Sequence, residues 1–519
     1  MASWDDIGEC RNLLNLDGME PRGYQVNIAK SVCGGSNSLV VLPTGLGKTM
    51  IAMIAIAQSV YSGKKAIMLS PTKPLSEQHY ATALGLLNME KELIMLLTGS
   101  MPGRERRERE NEAKVIIATP QTVANDIKSG RLSLDGFGVV VFDECHRAVG
   151  KYAYTYIADE CKLRGIQLIG LTASPGSRRD RVKALVAELG VENIEIRTSA
   201  DTDVAPYVMD KTITTIMTEK NSQMDAVLSK LKSVIDEHME KLYRYGLSPF
   251  KTFENMPKGR FLQVGDNISR LQAQNYKHMA TFNYVYVLNL THAYDLLSTE
   301  GFDPFIKYFE SLEAREKKSR VLNSILGNPS VRSALIEARG YAGEGVEHPK
   351  VFKIIELLGG RLKDKTIIIF AQYRSTIKMI VKILNQYGIP AESFVGKKEG
   401  VTQAGQKVVI ERFRAGEFRV LVSTSIGEEG LDIPSVDAVV FYEPIPSEIR
   451  NIQRKGRAGR IKLGEIVMLV TKGTKDEVYL MISRIKEKRM YELVAGVKKE
   501  VERRAIHEGA DVDNRQRYL

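Results

Sequence analysis

Lys48 and Thr49 close an eight-residue stretch, Leu42-Pro43-Thr44-Gly45-Leu46-Gly47-Lys48-Thr49, whose residue types suit a triphosphate. The glycines let the backbone curl until successive N–H groups point into one concavity, at the positive end of the helix that follows. A lysine at that position reaches the β- and γ-phosphates, and the adjacent hydroxyl holds a magnesium ion. The strict pattern G-x-x-x-x-G-K-[ST] is not met, because Leu42 stands in place of the first glycine. A glycine-rich turn without a ligand is the plain alternative. The residues downstream weigh against it.

Val139-Val140-Val141-Phe142-Asp143-Glu144-Cys145-His146 delivers two adjacent acids to the end of an apolar strand. Below a phosphate loop, the aspartate helps hold magnesium. The glutamate then orients or deprotonates the attacking water, which needs a carboxylate near the γ-phosphate. A charged turn explains the acids but not their pairing with Lys48. Leu171-Thr172-Ala173-Ser174-Pro175 offers small hydroxyls expected to bond back to the acid pair, and His146 is a candidate relay of the nucleotide state. Upstream, Pro21-Arg22-Gly23-Tyr24-Gln25 supplies an amide that both donates and accepts, with an aromatic beside it, as an adenine edge requires.

Other blocks offer groups for a nucleic-acid backbone. Lys73 in Pro71-Thr72-Lys73-Pro74 and Thr119 in Thr119-Pro120-Gln121-Thr122 follow strands, where hydroxyls and lysines contact phosphates without reading sequence. Each alone is an ordinary turn. Further on come Val422-Ser423-Thr424-Ser425, then Gly430-Leu431-Asp432, then Gln453-Arg454-Lys455-Gly456-Arg457-Ala458-Gly459-Arg460. Arg457 and Arg460 are three apart, on one side of a turn if it is helical. Two guanidiniums presented across a cleft stabilise charge in phosphoryl transfer.

These residues need elements to position them. Strand-like runs at 38–42, 65–69, 93–97, 115–118, 139–142 and 167–171 alternate with helical ones, and several are nearly continuous Val, Ile and Leu. That is the texture of a parallel sheet covered on both faces. A second such region has strands at 366–370, 393–395, 420–423, 438–442 and 466–470. Between them, helical spacing dominates: 221–246, 266–300, a cap at Asp303-Pro304, helix to about 320, and 331–339. The expected domains are 1–205 (α/β, nucleotide-binding), 206–347 (all-helical), 348–500 (α/β) and a charged tail at 501–519. The helical span 211–345 holds 18 Lys/Arg against 15 Asp/Glu, so its bulk charge does not mark a polyanion site. Its Tyr276, Tyr284, Tyr286 and Tyr294 read as core.

The chain has 519 residues, a formal charge of +11 and a pI near 9.2, which suits a polyanionic partner. Its four cysteines have no metal-ligand spacing and form no disulfide framework. Acidic residues at the start exclude a signal peptide, and the apolar runs are far short of a membrane span. The expectation is a soluble cytoplasmic protein without membrane partners.

In this order the blocks resemble the superfamily 2 helicases. LPTGLGKTMIAM, PTKPLSEQH, ATPQTVANDI, FDECHRAVGKYAY, IGLTASPGS, GEEGLDIPSVDAVVFYEPIPSEIRNIQRKGRAGR and KGTKDEVY are most similar to the archaeal Hef group, relatives of the Fanconi anaemia M protein. The resemblance spans roughly residues 10 to 495. It implies two RecA-like parallel-sheet domains closing around ATP and Mg2+, with an all-helical domain inserted between them. It assigns adenine recognition to Gln25, with Tyr24 beside it, and the phosphate loop to Thr44, Gly45, Leu46, Gly47, Lys48 and Thr49. Asp143 completes the metal site with Thr49, and Glu144 activates water. Gly430 and Asp432 contact the nucleotide from the second domain, and Gln453, Arg457 and Arg460 complete hydrolysis. Lys73, Thr119 and Thr424 grip nucleic acid. The implied activity is ATP-driven remodelling of forked and branched DNA, 3′ to 5′, alongside a separate nuclease or sliding clamp. A nucleotide-switched clamp on double-stranded nucleic acid is the alternative from another class. The acidic box reads DECH where DEAH is usual in the group. RIG-I-like receptors and Dicer share that spelling and act on double-stranded RNA, so an RNA-directed motor also stays open. Glu502-Arg503-Arg504 faintly echoes the nuclease core found in many Hef proteins, but too few residues follow for that fold, so no cutting activity is expected here.

Overall fold

The computed structural model describes residues 2–43, 45–99, 112–148, 153–176, 178–198, 201–207, 213–395, 403–424, 436–444 and 465–516. Helix α1 (Gly23–Val32) precedes strand β1 (Ser38–Val41), and α2 (Lys48–Tyr61) follows it. Then come β2 (Lys65–Leu69), α3 (Lys73–Leu86), β3 (Ile94–Leu97), β4 (Val115–Ala118), α4 (Pro120–Lys128), β5 (Phe137–Asp143), α5 (Ala153–Lys162), β6 (Gln167–Thr172), α6 (Arg179–Glu188) and β7 (Asn193–Ile196). The seven strands form one sheet in the order β3-β4-β2-β5-β6-β1-β7, every pairing parallel. Alternate residues enter opposite core layers, Leu39, Val41, Ile67 and Leu69 on one face and Val40, Leu42, Ala66 and Met68 on the other. Helices cover both faces, which is why these strands lack polar alternation. Parallel strands put all their carboxyl ends at one edge. There β5, β6 and β1 lie side by side, so the acid motif, the Thr-Ala-Ser segment and the phosphate loop emerge next to one another.

Several corrections concern the helical region. The span 206–347 is not all helical, because β8 (Ile213–Thr218) lies in it and pairs in parallel with β13 (Glu465–Thr471) at the edge of the second sheet. Five of its six residues, Ile-Thr-Thr-Ile-Met-Thr, are β-branched, the residue type that fits a pleated surface. The helices that follow are α7 (Ser222–Arg244), α8 (Lys258–Ser269), α9 (Gln274–Glu300), α10 (Phe302–Glu313), α11 (Arg320–Gly327) and α12 (Pro329–Gly343). The helix expected over 266–300 is thus two, parted at residues 270–273. The expected cap at Asp303-Pro304 is also displaced: Gly301, at φ +108, precedes α10, and both residues lie inside its first turn. These helices share one apolar core, in which Tyr286 is fully buried and Tyr284 and Tyr294 partly so. Tyr276 instead lies near the surface, its hydroxyl donating to the Tyr245 carbonyl.

Helix α13 (Pro349–Gly359) opens the second sheet domain, with β9 (Ile367–Phe370), α14 (Arg374–Gln386), β10 (Ala391–Phe394), α15 (Gln403–Arg414), β11 (Val420–Ser423) and β12 (Ala438–Phe441) before β13. Its order is β10-β11-β9-β12-β13-β8, again all parallel. Where the helical domain meets this sheet, a buried polar cluster ties four elements together. Lys350 Nζ lies 2.5 Å from Asp476 Oδ2, both side chains wholly buried, and donates to the Thr299 carbonyl at 3.1 Å. Thr376 Oγ1 donates to Glu300 Oε2 at 2.9 Å, and Tyr442 OH to the Glu300 carbonyl at 3.3 Å.

The expected break between a domain ending at 500 and a tail from 501 falls inside a single helix, α16 (Lys475–Gln516). It starts beside β13 and runs back to the first domain. There Val494, Val497 and Val501 enter the core layer that holds Leu185 of α6 and Ile194 of β7, and Arg179 and Lys183 pair with Glu500. Among the described residues, no helix is long and apolar enough to cross a membrane, and all four cysteines are free thiols.

Candidate nucleotide site

The phosphate loop is held from below. Gly45 and Gly47 take φ of +89 and +72, conformations that glycine adopts without steric cost. A Cβ on Gly47 would fall 2.2 Å from Gln25 Nε2, so a side chain there would have to displace the Gln25 amide. Tyr24 and Gln25 are buried on the first turn of α1. Tyr24 OH donates to the Leu46 carbonyl at 2.8 Å, and Gln25 Nε2 donates to the same oxygen at 3.2 Å. The two residues expected at adenine therefore also fix the back of the loop. Lys48 and Thr49 are the first residues of α2, and Lys48 Nζ donates to the Leu42 carbonyl at 3.1 Å. Thr44 lies outside the described residues.

The acid motif sits two strands away. Asp143 ends β5 in register with Leu171 of β6, while Val41 of β1 is in register with Thr172. Leu42 N donates to the Thr172 carbonyl at 3.1 Å, which stitches the loop to the Thr-Ala-Ser segment. Glu144 takes φ 51, ψ 44. A non-glycine residue in this left-handed region is strained, and such strain concentrates at functional sites. Burial pushes the Glu144 carboxyl up, but contact with His146 and the charges of His146, Lys48 and Arg147 outweigh it and take the group down to about 2. Glu144 is thus a carboxylate at neutral pH, held so partly by the phosphate-loop lysine.

His146 Nδ1 is 3.1 Å from Thr172 Oγ1 in a hydrogen bond. It is also 3.2 Å from Glu144 Oε2, an ion-pair distance without hydrogen-bond alignment. Thr172 Oγ1 in turn accepts from Ser174 N at 3.1 Å. The bond expected from this segment to the acid pair is therefore made to the neighbouring histidine. Cys145, the departure from DEAH, is fully buried, and burial drives its thiol well above its ordinary value. It packs on Gly170, where a Cβ would meet its Sγ at 2.9 Å.

Two residues at the site were not anticipated. His79, on α3, places Nε2 2.9 Å from Asp143 Oδ2. Tyr154, fully buried on α5, donates to the Asp143 carbonyl at 2.8 Å. Both occur in the quoted blocks, as the last residue of PTKPLSEQH and of FDECHRAVGKYAY, but nothing in their spacing points to Asp143.

Lys73 is the first residue of α3, half exposed and 3.9 Å from Glu77. Thr119 precedes α4, its hydroxyl 2.8 Å from that of Thr122. Thr424, after β11, has a buried hydroxyl with no hydrogen-bond partner among the described residues, as do Ser70 and Thr72 after β2. Gly430, Asp432, Gln453, Arg457 and Arg460 lie outside the described residues.

The DEAD/DEAH box helicase family model matches residues 22–182, and the Helicase conserved C-terminal domain model matches 349–462. MJ1505 of Methanocaldococcus jannaschii, named as an ATP-dependent RNA helicase, is 37% identical over 92% of this chain and 61% of its own length. FANCM of Arabidopsis thaliana, named a DEAD-box ATP-dependent RNA helicase, is 31% identical over 88% of this chain and 35% of its own. The ATP-dependent DNA helicase mph1 of Neurospora crassa is 32% identical over 91% of this chain and 43% of its own. The chain thus spans between 35% and 61% of the length of these relatives. The crystal structure of the Pyrococcus furiosus Hef helicase domain superposes with a TM-score of 0.72 at 39% identity, covering 91% of this chain and 100% of that one. With a candidate nucleotide site of this build on the first of two parallel-sheet domains, the chain belongs to the Hef family of ATP-dependent superfamily 2 helicases.

Proposed function

We propose that the chain is a DNA translocase that remodels forked and branched DNA, moving 3′ to 5′ and working beside a separate nuclease or sliding clamp. One observation carries the branched-DNA part of this reading. The match to the Hef helicase domain takes in 91% of the chain, so the unmatched tenth is too short to contain the helical domain of more than a hundred residues. The resemblance therefore runs through the inserted helices as well as through the motor.

ATP lies against the phosphate loop, with Lys48 on its terminal phosphates and Gln25 and Tyr24 toward the base. The available metal donors are hard oxygens, the Thr49 hydroxyl and the Asp143 carboxylate. Among the described residues, no three His, Cys, Asp or Glu side chains gather into a metal cage. Such a donor set fits Mg2+, which prefers water and phosphate oxygens to an all-protein shell. When bound, the ion neutralises charge on the β- and γ-phosphates. Glu144, kept ionised, accepts the proton of the attacking water. Arg457, Arg460 and Gln453 close on the phosphates from the second domain, where Gly430 and Asp432 also contact the nucleotide. Lys73 and Thr119 on one domain and Thr424 on the other hold the DNA backbone, and closure and release shift these grips relative to each other.

The test is ATPase rate against single-stranded, duplex and forked DNA, a four-way junction and duplex RNA, with Lys48→Ala as the blank. Strongest stimulation by forks or junctions, with strand displacement, is expected. Stimulation without displacement would favour a nucleotide-switched clamp. Two relatives are named as RNA helicases, and a maximum on duplex RNA would make the DECH spelling the better guide.

A further inference from the structure

The contact between His79 and Asp143 joins two parts of the first domain with separate expected tasks. Helix α3 begins at Lys73, offered to a nucleic-acid backbone. His79 lies six residues along it, buried, with Nε2 2.9 Å from Asp143 Oδ2. A carboxylate only accepts, so the ring nitrogen is the donor. The backbone of Asp143 is fixed separately by Tyr154, whose hydroxyl donates to its carbonyl at 2.8 Å and to that of Leu69 at 3.3 Å. The strand end is therefore already anchored, and what His79 adds is the direction of the carboxylate. It takes one oxygen, and a metal ion needs only the other.

We propose that His79 is a positioning residue for the metal-binding carboxylate, setting how tightly the site holds magnesium with nucleotide. The proposal rests on the nucleotide-site reading above. A partner that orients a metal ligand through a hydrogen bond typically changes metal affinity by about 10- to 100-fold when it is removed. A histidine that merely filled space on α3 would affect folding and leave the magnesium dependence alone.

The experiment titrates the full chain with a fluorescent, non-hydrolysable ATP analogue, in EDTA and across a magnesium series. His79→Ala is expected to need about 10-fold more magnesium for half-maximal binding, with binding in EDTA unchanged. His79→Gln, whose amide N–H replaces the donor, is expected to recover most of the shift. His79→Leu keeps bulk without a donor and serves if the alanine variant does not fold; it must then bind more weakly than His79→Gln at low magnesium. An unmoved magnesium midpoint overturns the proposal, as does equal weakening in EDTA and in magnesium. If the wild-type chain shows no magnesium-dependent nucleotide binding, the site reading itself fails. Wild-type dependence that survives His79→Ala and His79→Leu refutes only the role of His79.

Discussion

Glu144 shows how closely the site couples its parts. Its ionisation depends on His146 and on the lysine of a loop two strands away. Glu144→Gln should therefore bind ATP and fail to hydrolyse it, losing about 10²- to 10⁴-fold in turnover; single-turnover assays with a filter-binding control check both halves. Cys145 makes a different prediction. It fits because Gly170 faces it, so Cys145→Ala should fold and keep ATPase activity. Gly170→Ala should overpack the same spot and cost about 1–3 kcal/mol in urea unfolding. The acids, the lysine and the loop glycines were legible because their chemistry needs fixed types at fixed spacing. His79 and Tyr154 were not, because they reach Asp143 from helices whose placement only the folded sheet determines.

At the scale of elements, strands buried on both faces were readable as apolar runs, whereas β7 and β8 were missed because each is an edge strand that need not be apolar. The helical domain joins the second sheet through groups that water no longer reaches, and His348 reports on that joint. Its Nδ1 accepts from Lys350 N at 3.1 Å, and its Nε2 donates to the Ser298 carbonyl at 3.2 Å, so the ring is neutral. Burial, then the charge of Lys350, lowers it from 6.5 to about 3, against the pull of the Ser298 bond. Between those values the unfolded chain binds a proton that the native chain refuses. This stability is complete above pH 6.5 and declines as pH falls toward 3, by at most about 1.4 kcal/mol per unit. Glu347, raised to about 7 by burial and then by Asp303, has the opposite slope from 4.5 to 7. The informative quantity is therefore the difference between wild type and His348→Asn, which keeps a capping acceptor and removes the titration. Denaturant midpoints of the two from pH 7 to pH 4 should converge as pH falls. Lys350→Ala should be far more damaging, about 3–5 kcal/mol, because it strands Asp476 without its partner.

At the scale of the whole molecule, the sheets and the helices between them were foreseeable from texture, but the course of α16 was not. Its charged sequence gives no sign of a partner, yet Val494, Val497 and Val501 enter the first domain's core, with Tyr491 packed against it and Met490 on Ala173. Val497→Asp should detach that end. The expected result is loss of hydrogen-exchange protection in α6 and β7, with the second sheet unchanged.

Helix α16 also carries a geometric consequence. Val497 lies 22 residues from Lys475, about 33 Å along the helix axis. Swinging the root by one degree would carry Val497 about 0.6 Å sideways over that arm. Interdigitated side chains do not slide smoothly over such distances; they hold, then jump to the next groove. The two domains would therefore move between notched positions, with α16 as the pawl.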